Sequence, residues 1–141
     1  MTPFHLALTV RDINEARDFY TQTLGCSMGR SDIDWVDLDF FGHQLTCHLD
    51  PELGKQGKVK QHINPVDGHG VPIPHCGVVL EMPVWRTLAE SLKGKVAFII
   101  EPYIRFPGEP GEQATMFFCD PSGNALEFKA FKNISKQLFA T

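Results

Sequence analysis

The sequence predicts an α+β fold: two tandem βαβββ modules whose strands form a curved, cup-like mixed sheet with the helices outside. Three observations carry that expectation. Phe4-His5-Leu6-Ala7-Leu8-Thr9-Val10 is echoed by Pro74-His75-Cys76-Gly77-Val78-Val79-Leu80, two alternating segments with histidine second. Each is followed by a helical pattern that stops at a glycine, 20 residues after the histidine in the first copy and 19 in the second. Each helix then gives way to strand-like runs separated by turn residues.

Taken in order, Phe4 to Val10 is the first strand. Asp12 with Glu15 three residues on is a capping-box signal, Ile13, Ala16, Tyr20 and Leu24 share one helical face, and Gly25 is the stop. Strands follow at Gly29 to Asp32, Trp35 to Phe41 and His43 to Leu49. Residues 50–73, rich in Gly, Pro, Lys and His, read as a linker too polar and broken to form an element. The second copy opens with Pro74 to Leu80. Pro83 then suits a first helical turn, Trp85, Leu88, Ala89 and Leu92 make the apolar face, and Gly94 ends it. Val96 to Ile104, Gln113 to Cys119 and Asn124 to Phe131 are its strands. Asp39-Phe40-Phe41-Gly42 precedes the last strand of one copy as Asp120-Pro121-Ser122-Gly123 precedes that of the other. The boundaries are therefore module one at 3–49, the linker at 50–73, module two at 74–131 and a C-terminal tail at 132–141, with a short helix from Asn133, all within one domain.

Composition limits what such a chain does. At 141 residues it matches one domain with a sizeable core, and 43% hydrophobic against 21% charged residues excludes intrinsic disorder. A net charge of −4, with Lys55, Lys58 and Lys60 the only loose basic group, argues against a nucleic-acid partner. Apolar runs such as Val96 to Ile100 fall far short of the roughly 20 residues that span a bilayer. Met1-Thr2-Pro3 offers no basic lead into a signal-peptide core, so the expected location is the cytoplasm. Cys26, Cys47, Cys76 and Cys119 lie far apart with no CxxC pair, which suits buried reduced thiols better than a disulfide framework or a zinc knot.

Alternation assigns faces. With Leu6, Leu8 and Val10 packing on the first helix, His5, Ala7 and Thr9 face the other way. In the repeat His75, Gly77, Val79 and Glu81 share the face of His5, and in the last strand Glu127 and Lys129 do the same. Two imidazoles and a carboxylate on one side of a rigid sheet compose a 2-His-1-carboxylate triad. Such a triad holds a divalent metal on one face and leaves the opposite face open to substrate or dioxygen. Each residue alone has a plainer reading, a hydrogen-bonded histidine or a surface carboxylate; only the repeat brings the three together.

Phe4-His5-Leu6, Asp12-Ile13-Asn14-Glu15-Ala16-Arg17-Asp18-Phe19-Tyr20, Leu24-Gly25, Pro74-His75 and Asp120-Pro121-Ser122-Gly123-Asn124-Ala125-Leu126-Glu127 resemble the vicinal oxygen chelate superfamily. Glyoxalase I, extradiol dioxygenases, fosfomycin resistance proteins and bleomycin resistance proteins belong to it. The resemblance runs from Pro3 to Phe131. It implies paired modules with sheets around a cup, a divalent ion held between modules by His5, His75 and Glu127, and, as in some members, modules paired between the chains of a homodimer.

Departures from the family pattern refine the expectation. The fourth ligand of glyoxalase I, usually Glu, falls on Thr46, a poor replacement. Gln44 and His48 share its strand and are the remaining donors there. The extradiol tyrosine falls on Phe117, with no histidine shortly before it. His48 is the candidate for acid–base work, since imidazole is the side chain suited to proton transfer near neutrality; a buried or supporting histidine is the plainer alternative. His62 and His69 are lid or surface residues, Arg105 is a carboxylate binder or a surface ion pair, and Asp39 and Asp120 are turn residues. The expected function is a divalent-metal-dependent enzyme (Fe, Mn, Ni, Zn or Co) with glyoxalase-like lyase or isomerase chemistry on a small oxygen-chelating organic substrate. The alternatives are an Fe(II) extradiol-type dioxygenase and a metal-free small-molecule binding or resistance protein.

Overall fold

Strand, helix and three further strands occur twice in chain order in the computed structural model, which describes residues 1–141. This is the α+β fold the repeat predicts. By contact the chain divides into Met1–Gln61 with Asp120–Asn124, and His62–Cys119 with Ala125–Thr141.

In the first unit β1 (His5–Val10), β2 (Ser27–Asp32), β3 (Trp35–Phe40) and β4 (His43–Leu49) form a sheet of order β1-β4-β3-β2, with β1 parallel to β4. Helix α1 (Ile13–Asp18) starts where Asp12 accepts the Glu15 amide at 2.8 Å. The helix does not run on unchanged to Gly25: residues Phe19–Thr23 widen into a π-helical turn, closed by the Leu24 amide reaching the Phe19 carbonyl at 3.1 Å. Tyr20 in that turn is wholly buried, and Gly25 at φ 76° ends the segment. Val10, Val36, Leu38, Phe40, Leu45 and Cys47 are buried while His5, Ala7 and Thr9 are exposed, so alternation reads the faces as expected. Each buried side chain contributes about 1.5–3 kcal/mol against about 1 kcal/mol for a cap, so packing rather than capping holds this helix.

The turn Asp120–Asn124 is part of this unit. Asp120 is more than a turn residue. Its carboxylate accepts from the Tyr20 hydroxyl at 2.8 Å and from the Ser122 and Asn124 amides and the Asn124 side chain at 2.9 Å each. Asn124 in turn donates to the Thr9 carbonyl at 2.9 Å. Burial pushes the Asp120 carboxyl above its ordinary range, against those hydrogen bonds, which pull it down.

In the second unit β5 (His62–Val66) and β6 (His69–Ile73) form a hairpin. Strands β7 (His75–Glu81), β8 (Phe98–Arg105), β9 (Gln113–Cys119) and β10 (Ala125–Phe131) form a sheet of order β7-β10-β9-β8, with β7 parallel to β10. Helix α2 (Met82–Leu92) buries Met82, Trp85, Ala89 and Leu92, and the Trp85 indole donates to the Phe128 carbonyl at 2.9 Å. Strand β8 begins later than Val96 because the Lys95 and Val96 amides still bond the Leu92 carbonyl at the helix end. The tail closes with α3 (Ile134–Gln137), capped by Asn133.

The hairpin overturns the reading of residues 50–73 as a segment without elements; Pro51–Leu53 also forms a 3-10 turn. Asp67 and Gly68, at φ 48° and 80°, make a two-residue turn of the kind that matches strand twist. Pro65 and Pro72 lack the amide that a strand ladder ordinarily uses. With Val66 opposite His69 at the turn, however, Pro65 faces Gly70 and Pro72 faces Ile63, both in pairs that exchange no ladder hydrogen bonds. The amide each proline lacks is one that the hairpin does not use.

Candidate functional site

The site in the second unit is built on the parallel pair β7 and β10. Their register sets His75 beside Ala125 and Gly77 beside Glu127, so both side chains rise from one face. Gly77 is required there, because a Cβ at this position would collide with the Glu127 backbone carbonyl. The His75 Nδ1 lies 2.7 Å from the Pro72 carbonyl, which can only accept, so the ring donates from that nitrogen. In the neutral ring this leaves the Nε2 lone pair facing Glu127 Oε2 at 3.3 Å. Two electron-pair donors converge at that point, and a proton or a cation satisfies both.

Glu127 is held from its other side. The Thr115 hydroxyl donates to Oε1 at 2.8 Å, and the Lys129 ammonium stands 3.8 Å from the same oxygen. The Phe117 ring meets the His75 ring edge-on, with centroids 5.0 Å apart, and restricts its rotation. An imidazole oriented by a backbone carbonyl and a carboxylate oriented by a hydroxyl are what metal-ligating pairs require of their surroundings. The residues present therefore fit a divalent ion of the N/O-preferring kind.

A cavity of about 250 Å³ opens over this pair. Register arranges its floor in rows across the sheet: Glu127 with Phe117 and Ile100, Lys129 with Thr115 and Tyr103, and Phe131 with Gln113 and Arg105. The hairpin contributes Val66, Asp67, His69 and Val71 to the lining. Val71 packs with Ile100 and Phe117, the His69 ring stacks on Tyr103 at 5.9 Å, and Arg105 Nη1 lies 3.5 Å from Asp67 Oδ2.

The first unit carries the other predicted residues. His5 is exposed on β1, its Nδ1 2.9 Å from the Gln44 side-chain oxygen, the same kind of carbonyl support that His75 receives. Thr46, at the position that repeats Glu127, is buried and donates to Asp37 at 2.6 Å. His48 is exposed on β4, beside Trp35 in the ladder. Asp39 accepts the Gly42 amide at 2.8 Å as a turn residue. Within the single chain no group of three or more His, Cys, Asp and Glu side chains is arranged to hold one metal ion. The structure thus brings His75 and Glu127 together and leaves His5 and His48 on the other unit.

Sequence reasoning missed Thr115, the Pro72 carbonyl, Tyr103 and the Asp67–Arg105 pair. Thr115 was findable, since alternation in Gln113 to Cys119 puts it on the face of Phe117. The Asp67-Gly68 dipeptide was a turn signal inside the segment read as linker.

The comparisons agree with this architecture. The profile of the Glyoxalase/Bleomycin resistance protein/Dioxygenase superfamily matches residues 2–128. A glyoxalase/bleomycin resistance protein/dioxygenase from Alicyclobacillus acidocaldarius is 34% identical, with 95% of this chain and 94% of that one covered and a TM-score of 0.72. A genomically encoded fosfomycin resistance protein from Listeria monocytogenes superposes with a TM-score of 0.63 at 15% identity, covering 92% of this chain and 93% of that one. A lactoylglutathione lyase from Agrobacterium tumefaciens superposes with a TM-score of 0.61 at 16% identity, covering 99% and 97%. The last two likenesses are of fold. No helix is long and apolar enough to cross a membrane. With a sequence repeat, a duplicated βαβββ order and a profile that spans nearly its whole length, this chain belongs to the Glyoxalase/Bleomycin resistance protein/Dioxygenase superfamily.

Proposed function

We propose that this protein is a cytoplasmic divalent-metal-dependent enzyme with glyoxalase-like lyase or isomerase chemistry on a small oxygen-chelating organic substrate. The observation that carries the reading is the 3.3 Å approach of His75 Nε2 to Glu127 Oε2, with each side chain oriented from behind by Pro72 and Thr115. His5 is the third ligand. A histidine–glutamate pair is one donor short of a triad, and His5 is assigned to complete it from the second copy of a homodimer, the arrangement that the family resemblance implies for some members. His5 supports this by having one ring nitrogen engaged with Gln44 and the other open on an exposed strand face.

When bound, the ion supplies Lewis-acid stabilisation of the enolate or alkoxide that develops on the substrate. The chain's own part is positional. Pro72 and Phe117 fix the His75 ring, Thr115 fixes the Glu127 carboxylate, and the apolar wall of Val71, Ile100 and Phe117 excludes water from one side of the substrate. His48 is assigned proton transfer, from the exposed face of β4.

Elemental analysis of protein purified without added metal separates the readings. Ni, Zn, Co or Mn supports lyase or isomerase chemistry, Fe the dioxygenase, and no metal the binding protein. Phe117, where an extradiol enzyme has tyrosine, weighs against the second. The shared site has a sharper test. Neither His5→Ala nor Glu127→Ala homodimers should bind the ion tightly, while a mixed dimer of the two chains should regain one site. Unchanged affinity in His5→Ala, His75→Ala and Glu127→Ala would remove the ligand assignment.

A further inference from the structure

We propose that the cavity over His75 and Glu127 takes a small organic anion with an apolar body, a carboxylate or phosphonate, whose charge is recognised by Arg105 and Lys129. The inference rests on reading this cavity as the substrate site, and it adds the substrate's chemical class.

The sheet register orders the cavity floor by chemistry. Glu127 lies in the row of Phe117 and Ile100, Lys129 in the next row, and Arg105 in the row after that. Rows on one face are two residues apart, about 7 Å along the strand. A molecule with oxygens at His75 and Glu127 therefore has the Lys129 ammonium beside that end, 3.8 Å from Glu127 Oε1, and extends over Phe117 and Tyr103 before its far end meets Arg105. The ground between is apolar, since Val71, Ile100 and Phe117 form one cluster with Tyr103 against it. A cavity of about 250 Å³ suits a ligand smaller than an ordinary drug-sized molecule.

Both cations have capacity left for a ligand. Glu127 already faces His75 through Oε2 and accepts from Thr115 through Oε1, and Lys129 stands 3.8 Å off, so its ammonium donors are not consumed there. Arg105 touches Asp67 through a single Nη1 contact at 3.5 Å in an exposed pair. Contacts of that kind are weak, whereas a bidentate carboxylate or phosphonate on the same guanidinium is stronger. Asp67 sits at the tip of the hairpin whose Val71 and His69 line the same cavity. It acts as an internal carboxylate that holds Arg105 in place until the ligand's anion takes over.

The test uses the full chain stripped of metal with chelator, titrated with phenylacetate, phenylphosphonate and the neutral phenylacetamide and followed by amide chemical shifts. The two anions should bind at least about tenfold more tightly than the amide, since one charge-assisted contact is worth that factor. Arg105→Gln and Lys129→Gln should each weaken the anions about tenfold and leave the amide unchanged. Asp67→Asn should tighten the anions, the opposite sign to a merely structural loss. Equal binding of amide and anions, or no binding of any of the three, overturns the proposal, as do anion affinities within twofold of wild type in both cation variants or weaker anion binding in Asp67→Asn. A separate metal titration of the same variants keeps the questions apart. Anion binding without metal affinity leaves this inference standing and removes the metal enzyme, and the reverse result does the opposite.

Discussion

His75 Nε2 lies 3.3 Å from Glu127 Oε2 while the opposite nitrogen of the same ring donates to the Pro72 carbonyl. That relationship decides which nitrogen is available to a ligand, because a ring with Nδ1–H committed to an acceptor presents its lone pair at Nε2. It is also sensitive to whatever holds Glu127.

Thr115→Val keeps the side-chain shape and deletes the hydroxyl that donates to Glu127 Oε1. Removing such a supporting bond should weaken divalent-metal affinity about tenfold or more. Stability should fall by no more than about 1 kcal/mol. Calorimetric metal titration beside urea unfolding reads both. Full metal affinity in this variant would mean that the carboxylate needs no orientation from Thr115.

Gly77→Ala places a methyl group where the Glu127 carbonyl already stands. Two parallel strands have to separate to admit it, and overpacking of this kind costs about 1–3 kcal/mol. The melting temperature should drop, and metal affinity should drop with it, since Glu127 moves with its backbone. A variant as stable as wild type would show that β7 and β10 leave room for a methyl group at this position.

Asp120 predicts a pH dependence. Its carboxyl sits above the ordinary range, chiefly through burial. A folded state that holds the proton more tightly than the unfolded chain gains stability below the unfolded value of about 4 and loses it as pH rises through the folded value. Asp120→Asn does not titrate. The stability of wild type minus that of the variant, from urea unfolding, should therefore shrink as pH is raised from about 4. A difference that grows with pH reverses the sign and refutes the assignment to burial.

Cys26 is buried, and burial with Asp39 nearby pushes its thiol up to about 12. The thiolate is the reactive form, so at pH about 8 native Cys26 should resist iodoacetamide and become labelled only after unfolding. Peptide mapping reads this directly; prompt labelling of the native protein would place Cys26 at an open surface.

Local periodicity made much of the fold legible. The alternation of Phe4 to Val10 and Pro74 to Leu80, the Asp12 cap and the stops at Gly25 and Gly94 all act within a few residues of themselves, and the structure shows them there. The hairpin at His62–Ile73 was hidden because Pro65 and Pro72 read as strand breakers until the pairing shows them in positions that need no amide. Asp120 was visible as a turn residue. Its bond to Tyr20 joins positions 100 residues apart, which no local pattern encodes.

From the sequence by itself follow the duplicated strand–helix order and the face of its own strand on which each of His5, His75, Glu127 and Lys129 stands, since side-chain direction in a strand has period two whatever the neighbours are. Only the tertiary structure decided that Thr115 grips Glu127, that Pro72 selects the ring nitrogen of His75 and that Asp67 reaches Arg105. The Thr115 and Asp67 contacts depend on how separate strands are registered and packed, which is set when whole faces meet and not by any one strand alone, while the Pro72 contact, three residues long, depends on the bend between β6 and β7.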